Sequence, residues 1–252
     1  MIEYNVRGNN LPEAYHEALI ALNDYGEVSD CKDWNTEQLE LSMTIEVENP
    51  LCEPMISKCF IGGPSELQQY MMEMLDGILD FEVEKGNWVY TYHQRYADQY
   101  QFIIDELRRN PSSRRAVMMI WDKTKDDYSD EPPCFNHAQF FIRDNKLHMK
   151  VLFRSNDACK ATFMNAFALV MLQKRIANEL GVKVGTYTHR ANSFHCYKKD
   201  WDMLAGYVNR IYNADDEEDT TYEYIGDWDE LMEDAIPSIL RKVEVLKNNG
   251  QN

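Results

Sequence analysis

The sequence predicts a mixed α/β (α+β) protein folded as a single domain over residues 1–252. Strand-like segments alternate with a few long helical ones, and that pattern calls for a sheet covered by helices. At 252 residues with 44% hydrophobic content, the chain is long enough to bury one full core. Neither an internal repeat nor a low-complexity tract interrupts the pattern.

Leu11 to Asn23 has helical spacing (Leu11, Tyr15, Ala18, Leu19, Leu22) and stops near Gly26. Leu39 to Val47 alternates as a strand, with Leu39, Leu41, Met43, Ile45 and Val47 on one face. Gly62-Gly63-Pro64-Ser65 is a turn into a helix over Leu67 to Leu79, with Ser65 as the expected N-cap. Asp98 to Arg109 is a further helix, ended by Asn110-Pro111. The continuous apolar run Ala116 to Trp121 predicts a strand buried on both faces. Asp144-Asn145 joins Gln139 to Arg143 and Lys146 to Arg154 as a hairpin, with Arg154 on the face opposite Leu147, Met149, Val151 and Phe153. Thr162 to Leu180 is the longest helix, stopped by Gly181, and Val182 to His189 follows as a strand.

The formal net charge is −17, without a basic tail, so most of the surface would repel a nucleic acid or an anionic membrane. The six cysteines show neither a CxxC pair nor zinc-ligand spacing, and no segment approaches the length of a membrane span. A cytoplasmic protein with reduced thiols and no metal is the expectation. The acidic run Asp215 to Asp219 is expected to be a solvated loop.

One constellation carries chemistry. Cys134 follows Pro132-Pro133, and twenty residues later a strand returns Arg154, pairing a nucleophile with a cation that favours its thiolate. Ser113-Arg114-Arg115 precedes them. Asn165 stands eleven residues after Arg154, and Ser193-Phe194-His195-Cys196-Tyr197 closes the series. A thiol hydrolase would need a histidine beside Cys134, but strand alternation points His137 to the opposite face.

From about Glu66 to Trp201, this ordered set resembles the thymidylate synthase and pyrimidine hydroxymethylase family, in the form of a short archaeal- or phage-like member. The resemblance implies the thymidylate synthase fold, a large mixed sheet covered by helices, in a homodimer with shared active sites. It implies transfer of a one-carbon unit from 5,10-methylenetetrahydrofolate to carbon 5 of dUMP, giving dTMP, through an adduct on Cys134. The second version adds water to the same methylene and gives a hydroxymethyl nucleotide of dUMP or dCMP. Asn165 matches the base-reading amide, Arg154 and Ser155 match phosphate ligands, and Arg114 and Arg115 match an arginine pair lent by the other subunit. His195 and Tyr197 match contacts to the sugar hydroxyl, and Asp157 matches the carboxylate that holds the folate pterin. Glu66, with Glu73 as the alternative, matches the proton-relaying glutamate, while Tyr92 rather than Tyr90 matches the tyrosine that assists proton removal. The chain departs from familiar synthases at Phe135, which replaces a histidine, and at Phe153, which replaces a glutamine. It also departs in its polar end, Lys247 to Asn252.

Overall fold

The computed structural model describes residues 1–248; the last four, which hold most of the polar end noted above, lie outside the described residues. In chain order the strands are β1 (Glu3–Gly8), β2 (Glu27–Cys31), β3 (Thr36–Val47), β4 (Ile56–Ser57), β5 (Val117–Met119), β6 (Phe135–Arg143), β7 (Lys146–Phe153), β8 (Asn156–Asp157), β9 (Lys183–Tyr197) and β10 (Thr221–Tyr222). The helices are α1 (Leu11–Tyr25), α2 (Pro64–Asp76), α3 (Phe81–Glu84), α4 (Tyr92–Tyr96), α5 (Tyr100–Arg109), α6 (Lys123–Asp126), α7 (Thr162–Leu180), α8 (Trp201–Tyr212) and α9 (Asp229–Asn248). Among the described residues no helix is long and apolar enough to cross a membrane.

Eight strands form one mixed sheet in the order β1-β3-β9-β7-β6-β5, with β2 paired to β3 and β8 to β9. Alternation decides which face is dry. Leu41, Met43, Ile45 and Val47 of β3, and Leu147, Met149, Val151 and Phe153 of β7, are buried on the helix side. Helix α7 packs over β7 and β9 while α1 covers β1 and β3. Phe163, Phe167, Leu172 and Ile176 of α7 are all buried, and each such side chain contributes roughly 1.5–3 kcal/mol by leaving water. The opposite face is polar: Arg190 of β9 donates to Glu3 Oε2 at 2.7 Å and to Ser42 Oγ at 2.6 Å.

The hairpin forms where expected. Asp144 and Asn145 both take positive φ, 50° and 57°, as a tight two-residue turn requires. Helix α7 ends at Gly181, whose φ of 69° is the left-handed cap position.

Several boundaries differ from expectation. Helix α2 begins at Pro64, so Gly63 rather than Ser65 is its N-cap; proline suits a first turn that has no amide partner to lose. It ends at Gly77, earlier than Leu79, where φ is 63° and a Cβ would lie 2.2 Å from His93 Nδ1. Residues 97–99 form a 3-10 turn before α5 starts at Tyr100. Strand β9 runs on to Tyr197, because it stays paired to β3 and then to β8 well past His189.

The run Ala116 to Trp121 is not a strand buried on both faces. Only 117–119 pair, at the edge of the sheet, and Met119 on the open face is 46% exposed. An apolar run has the same periodicity whether its second face is covered or bare.

Candidate active site

The site is built where strand ends converge. Cys134 immediately precedes β6, and the N–H of Arg154, just past β7, donates to its carbonyl at 2.8 Å. The Arg154 guanidinium turns back to the same loop, donating from Nε to Pro133 O at 3.1 Å and from Nη2 to Pro132 O at 2.9 Å. The Arg154 carbonyl accepts from Ser193 N–H at 3.2 Å, which ties the loop to β9. Burial pushes the Cys134 thiol above its ordinary range, and the Arg154 charge opposes that shift.

Tyrosines pack beside the start of β6, next to Cys134. Tyr92 lies edge-on to Phe135, with centroids 5.6 Å apart, and Tyr90 is 5.6 Å from Tyr92. Thr91 holds this segment by accepting from Gln94 N–H at 3.0 Å and by a short bond to Asp80. Burial, reinforced by the Cys134 charge, pushes Tyr90 up to about 12. Tyr92 is pushed well above its ordinary value, chiefly by burial. Tyr70, Glu73, Trp88, Tyr90 and Tyr92 line a cavity of about 200 Å³.

Asn165, on the first turn of α7, is buried and donates from Nδ2 to the Tyr70 hydroxyl. Its Oδ1 accepts from Asn156 Nδ2 at 2.9 Å. Burial also raises Tyr70, and the nearby Glu73 and Cys134 charges act in the same direction. The amide and the phenol are therefore in contact and the thiol's charge reaches the phenol, although the three come from separate segments.

Parallel pairing of β8 with β9 puts Asp157 opposite His195. Asp157 Oδ1 accepts from the N–H groups of Cys159 at 3.0 Å and Lys160 at 2.9 Å. The His195 and Tyr197 rings share one side of β9 with centroids 4.7 Å apart, as residues two apart in a strand should. His195 is only 3% exposed and its Nε2 has no protein partner. A buried polar atom without a partner is costly, so this nitrogen is suited to a ligand hydroxyl. Burial lowers His195 while Asp157 opposes. Tyr197 is pushed up to about 12 by burial and by the neighbouring Cys31, Asp157 and Cys134 charges.

The remaining sequence candidates lie as follows. Ser155 is half-buried between Arg154 and β8. Glu66 is exposed and its Oε2 accepts from Gly63 N–H at 3.0 Å, at the start of its own helix. Glu73, two turns along the same face, lines the tyrosine cavity and is raised by burial. Arg114 and Arg115 are exposed beside the edge strand. Extending the β5–β6 register puts Arg115 level with Phe141, seven residues beyond Cys134. That is about 20 Å along the strand. His137 pairs with Leu152 and Met119, and its neighbour Ala138 is buried on the helix side, so it lies on the open face. Sequence reasoning missed Tyr70, Asn156 and His189. Only Tyr70 left a signal, since Glu66, Tyr70 and Glu73 recur at i, i+4 and i+7 on one helix face.

Comparison with known proteins agrees with this architecture. The family model described as Thymidylate synthase matches residues 65–217. A Methanocaldococcus jannaschii protein named "Putative thymidylate synthase" is 33% identical over 218 residues, covering 80% of this chain and 95% of its own length. A protein of the same name from Methanosarcina barkeri is 29% identical over 208 residues, covering 82% of this chain and 95% of its own length. The structure of thermostable thymidylate synthase A from Bacillus subtilis superposes with a TM-score of 0.65 at 19% identity, over 80% of this chain and 84% of that one.

Proposed function

The chain belongs to the thymidylate synthase family, and we propose that it methylates dUMP at carbon 5 with 5,10-methylenetetrahydrofolate, through a covalent adduct on Cys134. The observation that carries this reading is the bond from the buried Asn165 amide to Tyr70, which lines one cavity with Tyr90 and Tyr92 beside the Cys134 loop. The base-reading amide thus bonds a phenol that lines an aromatic-walled cavity, and Tyr92 of that wall packs on Phe135, the residue after the proposed nucleophile.

In this mechanism the Cys134 thiolate adds to carbon 6 of the uracil ring, and the electron pair moves to carbon 5 and the carbonyl oxygen. One folate C–N bond opens as carbon 5 attacks the methylene; the carbon 5 proton then leaves and the second folate nitrogen is expelled, which gives the exocyclic methylene. Hydride passes from the reduced folate to the exocyclic methylene, and the Cys134 bond breaks to release dTMP. Asn165 pairs with the ring N–H and carbonyl, which an amide alone can do in one step of donor and acceptor. Arg154 and Ser155 take the phosphate, His195 and Tyr197 the sugar hydroxyl, and Asp157 the pterin ring. The orphan Nε2 of His195 supports its part in this.

Tyr92 assists proton removal. For the proton relay, Glu73 is supported over Glu66. It borders the reaction space and its raised pKa lets it hold a proton, as a relay must. Arg114 and Arg115 act on the phosphate of a partner subunit, because their distance along the strand is beyond the reach of their own site.

Incubation with dUMP and methylenetetrahydrofolate, followed by mass analysis of the nucleotide, tests this. Gain of a methyl group is expected. Gain of a hydroxymethyl group would redirect the last step to hydration, and an unchanged nucleotide would refute the reading. With 5-fluoro-dUMP, the adduct is expected on the Cys134 peptide and not on Cys159 or Cys196.

A further inference from the structure

We propose that Asn156, set by His189, fixes which way round the Asn165 amide is presented, and so selects uracil over cytosine; this deepens the dUMP reading and rests on it. The residues form a buried one-way chain of donors. Asn156 Oδ1, which can only accept, lies 2.9 Å from His189 Nε2, so in this arrangement Nε2 carries the proton and Nδ1, 2.9 Å from the Tyr187 hydroxyl, accepts from it. Thr162 Oγ1 lies 2.9 Å from the same oxygen and 2.9 Å from Asp157 O, and its one proton serves only one of them. Asn156 Nδ2 then donates to Asn165 Oδ1, and Asn165 Nδ2 donates to Tyr70.

An amide turned over has the same shape, so packing alone cannot hold Asn165 in one orientation. The chain can. Turning Asn165 would set its NH₂ against the NH₂ of Asn156, and Asn156 can turn only if His189 moves its proton from Nε2 to Nδ1. The choice matters because the pyrimidine edges are inverse. Uracil offers a carbonyl acceptor beside an N–H donor, whereas cytosine offers an amino donor beside an acceptor nitrogen. An amide held one way matches one edge, and an amide free to turn matches both.

His189 is suited to anchor the chain. Its ring stacks on Phe153 at 4.5 Å, and Phe153 stacks on Phe135 at 5.0 Å. These are two of the positions where the sequence departs from familiar synthases. Burial in this wall pushes His189 down to about 3, so the ring stays neutral with one N–H to give. Asn156 and His189 are positioning residues that act through Asn165.

The test uses the full chain. Nitrogen NMR of wild type is expected to show the Nε2–H tautomer of His189. Wild type is expected to prefer dUMP in kcat/KM over dCMP. Asn156→Asp leaves only acceptors facing Asn165, so the amide turns and the dUMP:dCMP ratio falls at least about tenfold. His189→Phe removes the anchoring donor and lowers the ratio in the same direction, and His189→Gln, which keeps an N–H, restores it. If Asn156→Asp does not fold, the His189 pair and the tautomer carry the test. An Nδ1–H tautomer, or folded variants with an unchanged ratio in an active, dUMP-preferring enzyme, overturns the role of Asn156 alone. A wild type that turns over neither nucleotide strikes the dUMP reading itself.

Discussion

Arg154 and Cys134 are joined through the main chain at 2.8 Å, while the Arg154 guanidinium holds the two proline carbonyls that precede the cysteine. One residue thus shapes the loop before Cys134 and also supplies the positive charge that opposes the effect of the thiol's burial.

That relationship makes Cys134 a thiol of raised pKa, less ionised near neutrality than an exposed cysteine. Its alkylation by iodoacetamide is expected to accelerate as pH rises beyond the ordinary cysteine range, because only the thiolate attacks. Arg154→Leu removes the opposing charge and is expected to slow alkylation severalfold at any fixed pH. Peptide-resolved labelling across a pH series measures both. A rate unaffected by the substitution would separate Arg154 from the thiol.

Arg114 and Arg115 stand too far along the sheet to serve their own Cys134. Neither Cys134→Ala nor Arg115→Ala is expected to turn over dUMP well alone. Mixed and allowed to exchange, random pairing gives half heterodimers, each with one intact site. About a quarter of wild-type activity should therefore return. Exchanged dimers without recovery would confine the site to one subunit.

Asn165→Asp is expected to depress kcat/KM for dUMP and raise that for dCMP relative to it. A carboxylate cannot donate to the uracil carbonyl, and a mismatched buried polar pair costs a large factor. Steady-state kinetics on both nucleotides measures the ratio. An unmoved ratio would remove Asn165 from base recognition.

Acid should weaken the fold through buried histidines, His16 and His189 foremost, before most carboxylates titrate. Burial lowers His16 to about 4 and His189 to about 3 from an ordinary 6.5. As pH falls below 6.5, the unfolded chain takes up protons that the folded chain refuses, so stability falls with pH. The loss continues until the folded-state values are reached. Each histidine costs about 1.4 kcal/mol per pH unit in that window. Glu73, raised by burial, works in the opposite direction. Urea unfolding near neutrality and about two units lower should show the loss, and His16→Gln should flatten it.

Features that depend on near neighbours along the chain are readable from the residues alone. The Asp144-Asn145 turn, the apolar stripe of α7 and the alternation in β3 and β7 each state their geometry within one segment. The ordered motifs around Cys134, Arg154, Asn165 and His195 were legible for the same reason, since residue type and spacing carry them. Other features belong to the tertiary structure. Tyr70 and Asn165 are 95 residues apart, and only the packing of α2 against α7 brings the phenol to the amide. The edge position of β5, the proximity of Glu73 rather than Glu66 to the cavity, and the Tyr187–His189–Asn156 chain likewise depend on which faces of distant elements meet. Periodicity shows that an element has a buried face; which partner buries it is decided by the summed packing and hydrogen bonding of the whole fold.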